Sequence, residues 1–371
     1  MANEDKATRY HRLRRRAALA GTALGAVALT LLLVTGASSL LRDASGSLTG
    51  GSFVATVVLF VAALVLLHEL MLLPLAFYEG VTLERRYGLS TESTSRWWRD
   101  HLKATAVTLV FGIAAALVAL SLLRWSPEWW WLLAAVAFVA IMIGLAQLAP
   151  VLLLPLFYEF KPLDRPGLVD RLMALAERAG TRVVGVFEWR LSDRTRKANA
   201  ALAGIGRTRR IIVSDTLLAE HSDDEIEVIL AHELAHHVYG DLWSGIGFQA
   251  VLIVLGLYVA DGVLAWGANS FGLTGKADIA ALPLLVLTLA AVSLALLPIA
   301  NAVSRAHERR ADQYALRLTG KARAFASAMK RLAAQNLAEE DPSRLVEVLF
   351  YSHPPIRARI DSAHAWERNT G

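Results

Sequence analysis

Six stretches of this chain are too apolar and too nearly free of charge to be left in water, and they restrict what the remainder can become. Residues 17–41 run 25 positions without a charge behind the basic run Arg12, Arg14, Arg15 and Arg16, and residues 53–78, 104–123, 129–157, 242–260 and 279–302 follow. About 20 apolar residues in a helix cross a hydrocarbon core roughly 30 Å thick, so each stretch is a span. The first is long for a signal peptide and has further spans behind it, so it is expected to be an anchor. The second contains His68 and Glu69, the fourth contains Pro150 and Pro155, and the fifth is the shortest, with polar flanks. Charged residues make up only 19% of the chain, against roughly 25% in soluble domains, which excludes a disordered chain or a coiled coil.

The charges between the spans orient them. Arg85, Arg86, Arg96, Arg99 and Lys103 lie between the second and third spans, whereas Arg124 stands alone between the third and fourth and Lys276 between the fifth and sixth. Lysine and arginine accumulate in cytoplasmic loops, so both termini and the polar segment between spans four and five are expected in the cytoplasm. This topology accounts for most of the net charge of +5 without a nucleic-acid partner. The division that follows is 1–157 with four spans, 158–241 as the first part of a cytoplasmic domain, 242–302 with two spans, and 303–371 as its helical second part. Within the polar segments, 165–179 reads as a helix stopped by Gly180, 182–189 and 210–213 as strands, and 197–202 as a third strand. Ser222 and Glu225 form a capping box opening a helix that runs to Gly240. Residues 303–319, 321–337 and 342–350 read as helices, and a short terminal helix follows Pro354 and Pro355. The tryptophans at 97, 98, 125, 129, 130 and 131 stand near span ends, where an interfacial belt is expected.

The chain has no cysteine, so any metal must be held by histidine and carboxylate. His232, Glu233 and His236 form the pattern His-Glu-Leu-Ala-His on the helix opened by Ser222. Four-residue spacing puts both imidazoles on one face with Glu233 beside them, the arrangement in which two histidines bind zinc and the glutamate takes a proton from the attacking water. The plainer alternative is a membrane-proximal helix with surface histidines, and His237 is expected to point away from that face. A third ligand is required, and the best placed is Glu308, with Asp312 on the same face to accept a hydrogen bond from a ligand histidine. Ion pairs with Arg305 and Arg309 are the alternative use of those two carboxylates.

Together these motifs resemble the type I CAAX prenyl proteases, integral-membrane zinc metallopeptidases, in a bacterial-like form. His232, Glu233 and His236 match the zinc helix of that family, and Glu308 with Asp312, flanked by Ser304, Arg305 and Ala311, match its downstream acidic motif. Tyr351 to Pro355 followed by Arg359 match its C-terminal motif, and Asn199 with Ala200 its substrate-binding edge strand. Arg210 to Leu218, Glu84 to Leu89 with Trp98 and Asp100, and Phe160 to Leu163 match further segments in family order, over roughly residues 70–365. Eukaryotic members are longer, with seven spans and an insert before the zinc helix. The HtpX heat-shock proteases, more distantly similar, usually have two spans ahead of the catalytic domain, whereas this chain has four.

The resemblance implies a polytopic α-helical membrane protein with a cytoplasmic α+β zinc-metallopeptidase domain of the gluzincin kind. It implies one zinc ion per chain, held by His232, His236 and Glu308, with Glu233 as base and Asp312 behind a histidine. His353 and Arg359 would stabilise the oxyanion of the attacked carbonyl, and Asn199 and Ala200 would pair with the substrate. The spans would enclose a chamber into which His68 and Glu69 could face; a hydrogen bond between helices is the alternative. A monomer in the lipid bilayer is expected, cutting peptides or membrane proteins with or without a prenyl group, and alanine- and arginine-rich usage suits a bacterial plasma membrane. Competing expectations are a broad quality-control protease of the HtpX kind, an intramembrane site-2 protease, against which the polar approach from Glu220 to Glu227 argues, and a membrane scaffold with structural zinc. A transporter would more readily show internal repeats, and no convincing repeat is found.

Overall fold

The computed structural model describes residues 5–152, 154–204 and 208–370. Among them six helices are long and apolar enough to cross a membrane: Lys6–Val34, Phe53–Arg86, Thr94–Trp125, Trp130–Leu148, Asp241–Ser270 and Ile279–Thr319. In chain order the membrane-rich half consists of α1 (Lys6–Val34), α2 (Ala37–Leu48), α3 (Phe53–Phe77), a π turn at Tyr78–Leu83 leading into α4 (Glu84–Arg86), α5 (Thr94–Trp125), α6 (Trp130–Leu152) and α7 (Leu154–Phe157). The interruption expected at Pro150 and Pro155 falls in a stretch, 149–155, that lies outside the described side chains.

The polar part is a four-stranded sheet with helices packed on it. β1 (Phe160–Pro162), α8 (Pro166–Arg178), β2 (Val186–Trp189), β3 (Ala200–Ala203) and β4 (Arg210–Ser214) lead into α9 (Asp215–Glu220) and α10 (Asp223–Val238). The strand order is β1-β2-β4-β3, with β2 and β4 parallel and both outer pairs antiparallel. β3 is therefore an edge strand, with Ala200 opposite Val213 and Leu202 opposite Ile211. The strand expected over 182–189 begins only at Val186, and the one expected over 197–202 is displaced to Ala200–Ala203. The chain then returns to the membrane through α11 (Asp241–Ser270) and, after a short 3-10 turn at Ile279–Ala281, α12 (Leu282–Thr319). α13 (Ala322–Asn336), α14 (Arg344–Phe350) and α15 (Ile356–Thr370) complete it.

Several membrane helices outrun their apolar stretches. α12 continues unbroken for 38 residues, from the last span into the acidic motif. α11 has 30 residues rather than the 19 of its apolar stretch, because its one internal acid is provided for: Asp261 accepts hydrogen bonds from Lys276 Nζ at 2.6 Å and Trp130 Nε1 at 2.7 Å. α1 begins at Lys6, so its first turns carry the arginine run. There Tyr10 is fully buried with Leu83, Tyr87 and Leu89 and donates to Glu84. Glu69 pairs with His101 of α5 at 2.5 Å, a bond between helices, while His68 lies against Gly25 of α1.

Two of the tryptophans expected at the interface are used differently. Trp130 is 0% exposed in the apolar core between α3, α5, α6 and α11, its indole N–H committed to Asp261. Trp97 stacks on His101 with centroids 4.7 Å apart. Trp125 and Trp129 are exposed, as a belt requires. Replacing Trp130 with Ala is expected to destabilise the protein by about 3–5 kcal/mol, through the cavity it leaves, and Trp129→Ala by about 0.5 kcal/mol or less. Thermal unfolding in detergent measures both, and similar losses would mean that Trp130 is not a core residue.

Candidate active site

α10 forms where it does because both of its ends are specified. Ser222 Oγ accepts the N–H of Glu225 while the Glu225 carboxylate accepts the N–H of Ser222, and Asp223 and Asp224 favour the positive end of the helix. Ile226, Val228, Ile229, Leu230, Ala231, Leu234 and Ala235 are all buried, so the helix runs through the core of the domain and not along its surface. After Tyr239 the chain turns through Gly240 in the left-handed region, φ 67°, and enters α11 at Asp241. A side chain at 240 would strain that turn.

This helix lies against α12, and the contact brings three ligand groups together. One ligand atom each from His232, His236 and Glu308 lie within 4.8 Å of one another. His232 Nε2 stands 3.2 Å from Glu308 Oε2, and His236 Nε2 lies 3.5 Å from Glu308 Oε1 and 3.3 Å from His232 Nε2. Glu308 Oε2 is buried with no donor aligned on it. A buried carboxylate whose two oxygens are faced by the Nε2 atoms of His232 and His236 suits a cation held by two nitrogens and one oxygen.

The far edges of both rings are also held. His232 Nδ1 lies 2.9 Å from Asp312 Oδ1, one turn beyond Glu308. His236 Nδ1 lies 2.8 Å from Asp241 Oδ2, a partner that inspection of the sequence did not single out. Asp241 is itself nearly buried and accepts from Arg310, with His307 Nδ1 3.8 Å away. The available signal was an acid five residues past the second histidine and directly after a glycine helix stop. Each carboxylate turns an Nε2 lone pair toward Glu308 when Nδ1 carries the proton.

Arg359, from α15, binds Asp312 through two nitrogens at 2.9 and 2.6 Å, and its Nη2 lies 3.4 Å from His232 Nδ1. It thus stands behind His232, on the side away from Glu308. His353 precedes α15 on an exposed loop, and its Nδ1 reaches Glu308 Oε2 at 2.7 Å. Burial pushes the Glu233 carboxyl up from its ordinary value, against the opposing pull of His232 and His236. Asn199 is exposed at the start of edge strand β3 and Ala200 is buried within it, and β3 lies beside α10, with His237 Nε2 3.5 Å from the Leu202 carbonyl. His237 accordingly points away from the cluster.

Comparison with known proteins agrees with this arrangement. The model of Peptidase family M48 matches residues 162–367, and the model described as CAAX prenyl protease N-terminal, five membrane helices, matches residues 2–159. The Uncharacterized metalloprotease YhfN of Bacillus subtilis is 33% identical over 91% of this chain and 80% of its own. CAAX prenyl protease 1 of Saccharomyces cerevisiae is 26% identical over 83% of this chain and 72% of its own. Among solved structures, S. mikatae Ste24p shares the fold, with a TM-score of 0.86 and 24% identity over 96% of this chain and 88% of that one.

The charge of the metal-free cluster sets its pH dependence. Burial alone would lower the His232 pKa, but its hydrogen bonds to Asp312 and Glu308 outweigh burial and raise it to about 9. Below that value zinc must displace a proton from His232, so binding at neutral pH releases one. The zinc Kd is expected to fall by about tenfold per pH unit and to level off near pH 9. Chelator competition across pH, on protein stripped of metal, measures this; a flat profile between pH 6 and about 9 would refute it.

Proposed function

The chain belongs to peptidase family M48 and is a zinc-dependent endopeptidase of the membrane; on that premise we propose how its residues divide the reaction. The observation that carries the assignment is the convergence of His232, His236 and the buried Glu308 carboxylate on one point. These three would hold one zinc ion per chain. When bound, zinc supplies Lewis acidity to the scissile carbonyl and acidifies the attacking water.

Glu233 does not ligate. Its carboxylate accepts the proton of the attacking water and returns it to the leaving amine, and a carboxyl raised by burial suits both transfers. Asp312 and Asp241 keep the two ligand imidazoles in the tautomer that presents Nε2. Arg359 is a positioning residue: its two hydrogen bonds balance the buried charge of Asp312 and hold that carboxylate against His232. His353 is exposed beside Glu308, where its ring can donate to the carbonyl oxygen as charge develops there.

The substrate lies extended along β3. Its backbone pairs with the outward N–H and C=O of Ala200, and the Asn199 amide clamps it from the side. We assign the domain and both termini to the cytoplasmic face of a bacterial plasma membrane, from the arginines at 85, 86, 96 and 99 in the loop after the second span. There a monomer meets peptides anchored by a prenyl group, in keeping with the relatives named for that substrate.

Matched peptides, one farnesylated on a C-terminal cysteine and one bare, test the substrate assignment with purified protein in detergent. Cleavage that prefers the farnesylated peptide and is lost on chelation is expected; equal cleavage of both would indicate a quality-control protease. Glu233→Gln should lower kcat by about 10³-fold or more while zinc content stays at that of the wild type. Loss of zinc from that variant would make Glu233 a ligand instead. Ala200→Pro removes only the outward N–H of an edge strand, a position where proline is tolerated, and should raise KM by about tenfold with zinc content unchanged.

A further inference from the structure

In β3 the residues alternate between its neighbour and its free edge. Ser214 N–H donates to the Asn199 carbonyl at 3.0 Å, so Asn199 and Ala201 bond toward β4, and the backbone groups of Ala198, Ala200 and Leu202 point outward. Ala198 is not open. Its N–H donates to Asn336 Oδ1 at 2.9 Å, and its carbonyl accepts from Asn336 Nδ2 at 3.2 Å. One carboxamide thus makes both bonds that an added strand would make.

The chain before Ala198 is covered as well. Thr195 forms an antiparallel bridge with Ser90, and the Arg196 N–H donates to the Leu89 carbonyl at 2.8 Å. Lys197 is tied to Glu84 at 2.9 Å, and Gln335 Nε2 donates to the Arg196 carbonyl at 2.9 Å. Asn336 is the last residue of α13, and Leu337 after it takes a left-handed conformation, φ 49°, with its carbonyl accepting from His11 of α1 at 2.9 Å. The carboxamide is therefore held from two sides by chain that is itself fixed.

We propose that Asn336 is a specificity-determining residue, whose side chain ends the substrate-binding edge at Ala198 and so limits how far a bound chain extends on that flank. The inference rests on β3 being the substrate strand. A substrate adding antiparallel to β3, the sense in which β3 already pairs with β4, runs toward Ala198 with its C-terminal part. That part cannot pair beyond Ala200 and must end there or turn away. On the other flank the contact is weaker, with His237 Nε2 3.5 Å from the Leu202 carbonyl.

The test uses the full chain, zinc-loaded in detergent, and two series of internally quenched peptides lengthened stepwise from one core, one series at the C-terminal end and one at the N-terminal end. For the wild type, kcat/KM should fall roughly tenfold along the C-terminal series and stay level along the other. Asn336→Ala, which frees both groups of Ala198, should level the C-terminal series and shift the cleavage position among its products. Asn336→Asp accepts the Ala198 N–H but has no N–H for its carbonyl, and should give an intermediate slope, which keeps the question answerable if the alanine variant does not fold. A wild type indifferent to C-terminal length overturns the proposal, as does a folded Asn336→Ala protein that keeps the wild-type slope. If Ala200→Pro leaves KM unchanged, the substrate-strand assignment has failed; if it raises KM and Asn336→Ala changes nothing, only the role of Asn336 has.

Discussion

Everything functional in this protein depends on the packing of α10 against α12. Two histidines one turn apart make half a site on any helix, and the other half must come from a second helix at a fixed height. Because α12 is one unbroken helix from the last span to Thr319, the height of Glu308 is set by the membrane itself. Glu308 and Asp312 are both buried against α10, and the cluster concentrates carboxylates and imidazoles where water is scarce. Such a group is costly unless cations compensate it; Arg359 does so for Asp312, and at Glu308 the two histidines leave a place where a metal ion would be held.

The membrane helices hold the domain from the opposite side too. Besides the bond from His11 to the Leu337 carbonyl, the first turns of α1 enter two clusters. Tyr10, Glu84 and Lys197 form one cluster immediately before the edge strand. Arg15, Glu339 and Tyr351 form the other, two residues before His353, with Arg15 Nη1 at 2.8 Å and Tyr351 Oη at 2.6 Å from Glu339 Oε2. Glu339 is nearly buried, so this network is worth more than a surface ion pair of the same length. β3 and the loop of His353 are thus both tied to the first span. A change in the tilt of α1 would act on both.

Both ligand histidines are backed by acids that begin or follow membrane spans, but the two acids were unequally visible. Asp312 could be found because it shares a helix face with Glu308, a relation that four-residue spacing encodes. Asp241 could not be found that way, since it lies past a glycine turn and reaches His236 only because Gly240 folds α11 back under the zinc helix. Arg359 shows a similar limit. Its place near the site follows from the family motif, but that its guanidinium lies behind His232 on Asp312 is a fact of how α15 packs. Trp130 was misjudged for the same reason: nearness to a span end says nothing about which way an indole faces, and here Asp261 offers its N–H a buried partner.

By itself the sequence determined the number of spans, the zinc helix with its cap, and the class of chemistry. Each of these is written in local terms: uninterrupted apolar length, a capping box, and two imidazoles on one helical face. The tertiary structure decided which carboxylate stands behind each histidine, which tryptophans are core, and that Asn336 pairs with Ala198. Except for Asp241, which reaches the nearby His236 through the Gly240 turn, these depend on contacts between residues far apart in the chain, where neither periodicity nor spacing carries information, because the packing of whole helices fixes which side chains meet.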